Sequence, residues 1–304
     1  MPQIRANGIQ LEYDEIGPKD GIPYLMINGF GAQMTGWPDE FREGLAAKGL
    51  RVIRFDNRDV GLSQKFPGTV PVPGEVAKAI REGRDPGIPY TLKDMAADAA
   101  GLLDALGIES AHIQGASMGG MIAQLVVLDH PKKARSLISI FSSTGDPSLP
   151  TSTPEAQAAL LSRPPGTDRE SVVSHTVKNR RVYASTAFPF DEAMWRRLAA
   201  ENYDRQYYPE GTTRQYAAIL ASPPRTERLK ALKLPALVLH GSADTLLPAA
   251  CGRHTAQCIP GAEYHEIEGW GHDVPLGVIP QLYDFILPFV ERVEAQRARA
   301  RSAA

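Results

Sequence analysis

Ser117 stands in the run Gly115-Ala116-Ser117-Met118-Gly119-Gly120, between the apolar stretch His112–Gln114 and a helical pattern that starts at Met118. A serine at such a strand-to-helix turn can act as a nucleophile, because the turn lifts its hydroxyl above a sheet, beside a helix N-terminus that favours negative charge. The backbone of that turn is strained and needs small residues two positions to either side. Gly115 and Gly119 occupy them. Taken alone, the run also fits a glycine-rich turn with a helix-capping serine. It does not fit a phosphate-binding loop, since Met121 follows Gly120 where a lysine would be needed. A dinucleotide loop at Gly29-Phe30-Gly31 would need its third glycine where Met34 stands.

A serine hydroxyl requires a base, and the base an orienting acid. His272 lies in Gly269-Trp270-Gly271-His272-Asp273 and Asp244 in His240-Gly241-Ser242-Ala243-Asp244, each just past a strand-like stretch. Asp146, past the stretch ending at Phe141, competes with Asp244 as the acid. The remaining histidines have simpler places: His112, His240 and His265 in strands, His130 closing a helix, and His175 and His254 on helix surfaces. Acyl transfer also needs two donors for a developing oxyanion. The Met118 N–H is one candidate. The Phe30 N–H is the other, carried by the loop Asn28-Gly29-Phe30-Gly31, which also fits a plain glycine turn.

Strand-like and helix-like segments alternate over most of the chain, the pattern of parallel βαβ units. Ile9–Tyr13 reads as the return strand of a hairpin turning at Asn7-Gly8. Continuous apolar runs suited to buried strands follow at Tyr24–Ile27, Val52–Phe55, His112–Gln114, Leu137–Phe141, Ala236–His240 and Tyr264–Ile267. Helical patterns fall at Asp39–Ala47, Leu92–Leu106, Met118–Asp129, Ala249–Cys258 and Ile279–Ala295. Between Asp146 and Arg228 the alternation gives way to helical stretches at Pro154–Ser162, Asp168–Ala184 and Asp191–Asn202, bounded by Pro164-Pro165 and Pro223-Pro224. Residues 1–145 and 229–304 are therefore expected to form one sheet domain, with 146–228 a helical cap inserted into it. Tyr183, Tyr203, Tyr207, Tyr208 and Tyr216 lie in that insertion with Phe188, Phe190 and Trp195, and either line an apolar pocket or pack the cap onto the sheet. Lys65–Pro89 is a proline-rich irregular stretch around a short helix at Glu75–Arg81, and Arg297–Arg301 reads as a solvated, frayed helix end.

With 304 residues, 33 Lys+Arg against 35 Asp+Glu and 43% hydrophobic residues, the composition is that of an ordinary globular protein. The near-neutral balance argues against a nucleic-acid partner. No apolar run reaches the ~20 residues that span a bilayer, and Met1-Pro2-Gln3-Ile4-Arg5 opens no signal sequence, so a cytoplasmic location is expected. Cys251 and Cys258 fall two turns apart on one helix, about 10 Å, too far for a disulfide and without a zinc-site spacing. No metal or other cofactor is expected.

The chain order serine, acid, histidine, with each member past a strand end, resembles that of the α/β-hydrolase family. Gly36-Trp37-Pro38-Asp39-Glu40-Phe41, the segment Asp56-Asn57-Arg58-Asp59-Val60-Gly61-Leu62-Ser63, and the elbow around Ser117 make the chain similar to aclacinomycin methylesterase-like bacterial serine esterases. The resemblance covers nearly the whole chain. It implies a mostly parallel eight-stranded α/β sheet with helices on both faces, a helical cap, and ester hydrolysis without cofactor on small-molecule substrates, with medium-sized apolar or aromatic groups suggested by the cap aromatics. Many relatives carry His-Gly where this chain has Asn28-Gly29, so the bonding that shapes the oxyanion loop is expected to differ. Lys65–Pro89 looks longer than in the methylesterase. The same triad would also serve a cofactor-free perhydrolase or a C–C bond hydrolase, and a slow-turnover ligand receptor of the same fold would retain it.

Overall fold

The computed structural model describes residues 2–302; Met1, the first residue of the opening Met1–Arg5 read above, lies outside them. β1 (Gln3–Ala6) and β2 (Ile9–Ile16) form the expected hairpin, paired from Ala6↔Ile9 outward. Asn7 and Gly8 both take positive φ, 46° and 78°, as a two-residue turn matched to strand twist requires. β3 (Ile22–Ile27), β4 (Leu50–Phe55), β5 (Ala111–Ala116), β6 (Ala134–Ile140), β7 (Ala236–Gly241) and β8 (Glu263–Ile267) complete one eight-stranded sheet in the order β1-β2-β4-β3-β5-β6-β7-β8. β2 runs antiparallel to both its neighbours, and the pairs from β4 to β8 are parallel.

The strand order reverses at β3. The chain leaves β3 towards β4 through α1 (Asp39–Ala47) and returns to β5 through α3 (Leu92–Ala105), with α2 (Pro73–Arg81) in the irregular stretch before it. Parallel crossovers are right-handed, so connections in opposite directions put their helices on opposite faces. Accordingly α3 and α4 (Met118–Asp129) bury Met95, Leu102, Ile122 and Val126 against Leu25, Ile53 and Ile113 on one face. On the other, α1 and α11 (Ile279–Ser302) bury Phe41, Leu45, Leu282 and Phe289 against Tyr24, Met26 and Ile138. Each such side chain removed from water contributes roughly 1.5–3 kcal/mol. The loops after β3 and β5 consequently open beside each other at the reversal, where doubly wound sheets form their ligand crevice.

Between β6 and β7, which pair directly, the chain makes α5 (Pro154–Leu161), α6 (Arg169–Val182), α7 (Glu192–Gln206), α8 (Pro209–Leu220) and α9 (Thr226–Lys230). α10 (Ala249–Cys258) links β7 to β8. Two helices go beyond the expected set. α8 contains Gly211 and the β-branched pair Thr212-Thr213, which weaken its helical signature, yet a β-carbon at Gly211 would stand 2.0 Å from the Asp59 carbonyl oxygen, so close packing selects the glycine. α9 straddles residue 228 and sends Leu229 into the main core. The tail corrects an expectation: α11 is helical through Ser302, because Arg297 reaches Ser110 Oγ (3.3 Å) and Glu294 (3.4 Å) instead of fraying. Cys251 and Cys258 are free and buried. Among the described residues no helix is long and apolar enough to cross a membrane.

Candidate active site

Ser117 sits at the junction of β5 and α4 with φ 57° and ψ −122°, a region that non-glycine residues enter only when their surroundings hold them there. Those surroundings are visible. The Ser117 N–H donates to Ile140 O (3.0 Å), and Ser117 O accepts from Ser142 Oγ (2.7 Å) and from the Gly120 N–H (2.9 Å). A β-carbon on Gly115 would lie 2.0 Å from Gly119 O, and one on Gly119 would lie 2.2 Å from Ile27 O. Both glycines are thus required by backbone packing, the reason for which the sequence pattern singled them out.

His272 Nδ1 lies 2.7 Å from Asp244 Oδ2, with both residues buried. The other carboxylate oxygen of Asp244 accepts the Leu246 and Leu247 N–H groups, each at 2.8 Å. Burial pushes the Asp244 carboxyl up, but the charge of His272 and hydrogen bonds from His240 and His272 outweigh it, leaving the group well below the usual carboxylate range. An ionised carboxylate only accepts, so His272 carries a proton on Nδ1, and in the neutral ring the lone pair is then on Nε2. The rings of Phe141 (4.6 Å between centroids) and Tyr183 (6.2 Å) confine the imidazole. Asp146, the competing acid, lies elsewhere: it accepts from Ser148 and Thr226, with His254 at 4.0 Å.

Ser117, His272, Phe30, Met118, Asn28 and Gly29 all line one cavity of about 260 Å³. Nothing among the described residues accepts a hydrogen bond from the Phe30 or Met118 N–H. Asn28 closes the loop internally, its Nδ2 donating to Gln33 O at 2.6 Å while Asn57 Nδ2 donates to Asn28 O at 3.1 Å. Gly31 takes φ 64°, which turns the loop back. Of the insertion's aromatics, Tyr183, Trp195 and Tyr216 line the cavity, whereas Phe188 packs on the core of the α1 and α11 face. A second cavity of about 540 Å³ shares the wall formed by Phe30, Leu160, Tyr183, Trp195 and Tyr216.

Several residues at the site escaped the sequence reading. Asp56 accepts the Met34 N–H (2.7 Å), the Leu62 N–H (2.9 Å) and Arg205 (3.0 Å). Asp273 accepts from the Ser185 N–H (3.1 Å) and hydroxyl (2.5 Å), tying the His272 loop to the segment after α6; His272 N–H also donates to Tyr183 O (2.8 Å). Burial raises the Asp273 carboxyl, against the opposing hydrogen bonds of Ser185. The place of Asp273 beside the candidate base was the one available signal for it.

Comparison with known proteins gives concordant matches. A family model described as alpha/beta hydrolase fold matches residues 23–276. Rhodomycin D methylesterase DauP of Streptomyces sp. (strain C5) is 30% identical over 299 residues, 90% of this chain and 93% of the relative. A 2-hydroxy-6-oxononadienedioate/2-hydroxy-6-oxononatrienedioate hydrolase of Paraburkholderia phymatum is 27% identical, covering 87% of this chain and 85% of that one. Among solved structures, the enol-lactonase from Burkholderia xenovorans LB400 superposes with a TM-score of 0.72 at 23% identity, over 95% of this chain and all of that one. A meta-cleavage product hydrolase from Pseudomonas fluorescens IP01 gives 0.75 at 19% identity, over 96% and 98%.

Proposed function

Because the chain belongs to the α/β-hydrolase fold family, we propose that Ser117, His272 and Asp244 are the machinery with which this carboxylic-ester hydrolase cleaves its substrates. His272 Nε2 takes the Ser117 proton as Oγ attacks the ester carbonyl. The Phe30 and Met118 amides stabilise the tetrahedral oxyanion, and His272 returns the proton to the departing alcohol. A water deprotonated by His272 then releases the acid from the acyl-enzyme. Asp244 holds the imidazole in the Nδ1–H tautomer throughout. The reading is carried by the 2.7 Å contact of Asp244 with His272, which lines the same cavity as Ser117.

The helices of residues 146–228 act as a cap that roofs this cavity, with Tyr183, Trp195 and Tyr216 supplying an apolar lining. Such a lining favours esters whose larger part is aromatic or aliphatic and uncharged. The name of the Streptomyces relative points to a small alcohol as leaving group, so methyl esters of aromatic acids are the substrates of first choice. The test is a panel of esters varied in acyl and alcohol size, assayed with wild type and Ser117→Ala. Turnover that falls by at least about 10³-fold in Ser117→Ala is expected; full activity in that variant would overturn the reading. Cleavage of vinylogous diketones in preference to esters would instead assign the triad to C–C bond hydrolysis.

A further inference from the structure

The loop that carries the Phe30 N–H is gripped from outside the sheet domain. On α8, Thr212, Gln215 and Tyr216 are spaced i, i+3, i+4 and share a face. All three meet the loop. The Gly31 N–H donates to Gln215 Oε1 at 2.9 Å, a β-carbon on Gly31 would come within 3.2 Å of Thr212 Cγ2, and the Tyr216 ring lies 5.8 Å from that of Phe30. Gln215 is fully buried, and its Nε2 donates to Arg58 O at 2.9 Å, so its amide is fixed at both ends. On the other flank, Gln33 Nε2 donates to Asn202 O (2.7 Å) and Gln206 O (2.9 Å) in the last turn of α7, the latter a carbonyl at the helix end that lacks an intrahelical partner. Arg205 Nη1 donates to Gln33 Oε1 at 2.5 Å.

We infer that Gln215, assisted by Gln33, is a positioning residue for the oxyanion donor: the inserted helices hold the Phe30 N–H in place, and the catalytic site is complete only when they are seated. The chemistry of the grip supports this. Gln215 satisfies the Gly31 amide, which leaves the neighbouring Phe30 amide as the loop's unpaired donor in the cavity that Ser117 also lines. Donors for an oxyanion act through preorganisation, so a loop held at both ends outperforms one free to relax. The inference rests on the proposed hydrolase reading, and its test separates the two.

The experiment measures the rate at which an alkyl phosphonofluoridate modifies Ser117. Oγ bonds to phosphorus, fluoride leaves, the proton passes to His272, and the phosphoryl oxygen occupies the oxyanion position. Gln215→Met keeps the volume and loses both hydrogen bonds; Gln215→Glu keeps an acceptor for the Gly31 N–H. Thr226→Val is the control, since it removes a bond to Asp146 at the base of the same insertion, away from the loop. Modification is expected to slow by at least about 10-fold in Gln215→Met, less in Gln215→Glu, and under about 2-fold in Thr226→Val. On an ester, Gln215→Met is expected to lower kcat with KM within about 3-fold. Equal rates in Gln215→Met and Thr226→Val would overturn the positioning role; should Gln215→Met not fold, Gln33→Met against the same control decides it. Absence of modification in wild type would instead remove the hydrolase reading, and this inference with it.

Discussion

Arg205 on α7 lies 3.0 Å from Asp56 at the end of β4, a buried ion pair that joins the inserted helices to the sheet. Asp56 is wholly buried and Arg205 is one-tenth exposed, so solvent screens the pair weakly. Asp56 also holds the Met34 amide, and the pair therefore connects helix, strand and the segment that follows β3. Removing one partner of such a pair leaves a buried charge without its counterpart. Arg205→Met is expected to cost about 3 kcal/mol in chemical denaturation, at the lower end for buried pairs because two backbone amides still serve Asp56. A double-mutant cycle with Asp56→Asn should return a coupling of about 1 kcal/mol or more; additive losses would mean that the two residues stabilise independently.

Gly119 faces a different constraint. Its missing side chain accommodates the carbonyl oxygens of Ile27 and Asn28, at 2.2 Å and 2.7 Å from a hypothetical β-carbon, and neither backbone atom can swing away as a side chain would. Gly119→Ala should therefore force β3 and α4 apart beneath Ser117. The expected cost is about 3 kcal/mol, with activity falling further than stability because Ser117 and the Phe30 loop separate. Thermal unfolding and ester turnover measured on the same samples check both; unchanged activity at unchanged stability would contradict the packing account.

The contrast between these two sites explains what could be read in advance. Gly115, Ser117 and Gly119 are close in sequence, and their spacing follows from local backbone sterics. Strands such as Val52–Phe55 and helices such as Asp39–Ala47 likewise announce themselves by apolar pattern, and α1 and α4 have the expected ends. The pairing of Asp244 with His272 could be anticipated because their residue types and order are chemically restrictive. Arg205, Gln33 and Gln215 carry no such restriction, since an arginine or glutamine on a polar helix or loop normally meets water. Their roles come from contacts between residues about 150–180 positions apart. α8 offered one overlooked signal, Pro209 at its first turn followed by Glu210.

Asp244 supplies a prediction with two readouts. Asn in its place can present an N–H to His272 and so favour the wrong tautomer, for which a loss of kcat of roughly 10³–10⁴ is expected. The stability readout follows from linkage. The carboxyl of Asp244 is held below its ordinary 3.8 in the folded protein, so the unfolded chain takes up the proton first as pH falls. Ionised Asp244 thus contributes stability above about pH 3.8 that is lost as pH drops through the folded value. Asp244→Asn should be less stable than wild type at neutral pH and show a shallower decline of Tm below pH 4. A parallel decline would show that other carboxylates set the acid limb.

His112 predicts a loss of stability in a milder window. Its ring is wholly buried in β5, with Nδ1 2.7 Å from Ser136 Oγ and Nε2 3.2 Å from Glu294 Oε1 on α11. Burial lowers the imidazole below its ordinary 6.5, and this outweighs the raising effect of Glu294. The folded protein therefore binds this proton less readily than the unfolded chain. Above pH 6.5 both states hold His112 neutral and no penalty arises; as pH falls below 6.5 the unfolded chain is protonated first, and stability declines until the folded value is passed. Tm measured from pH 7.5 to 5 should fall more steeply for wild type than for His112→Gln, which keeps a polar partner for Ser136 but cannot titrate. Glu294→Gln should make the decline steeper than in wild type, because it removes the Glu294 charge that favours the imidazolium. If His112→Gln follows the wild-type slope, the decline belongs to other groups and the β5–α11 contact is indifferent to pH.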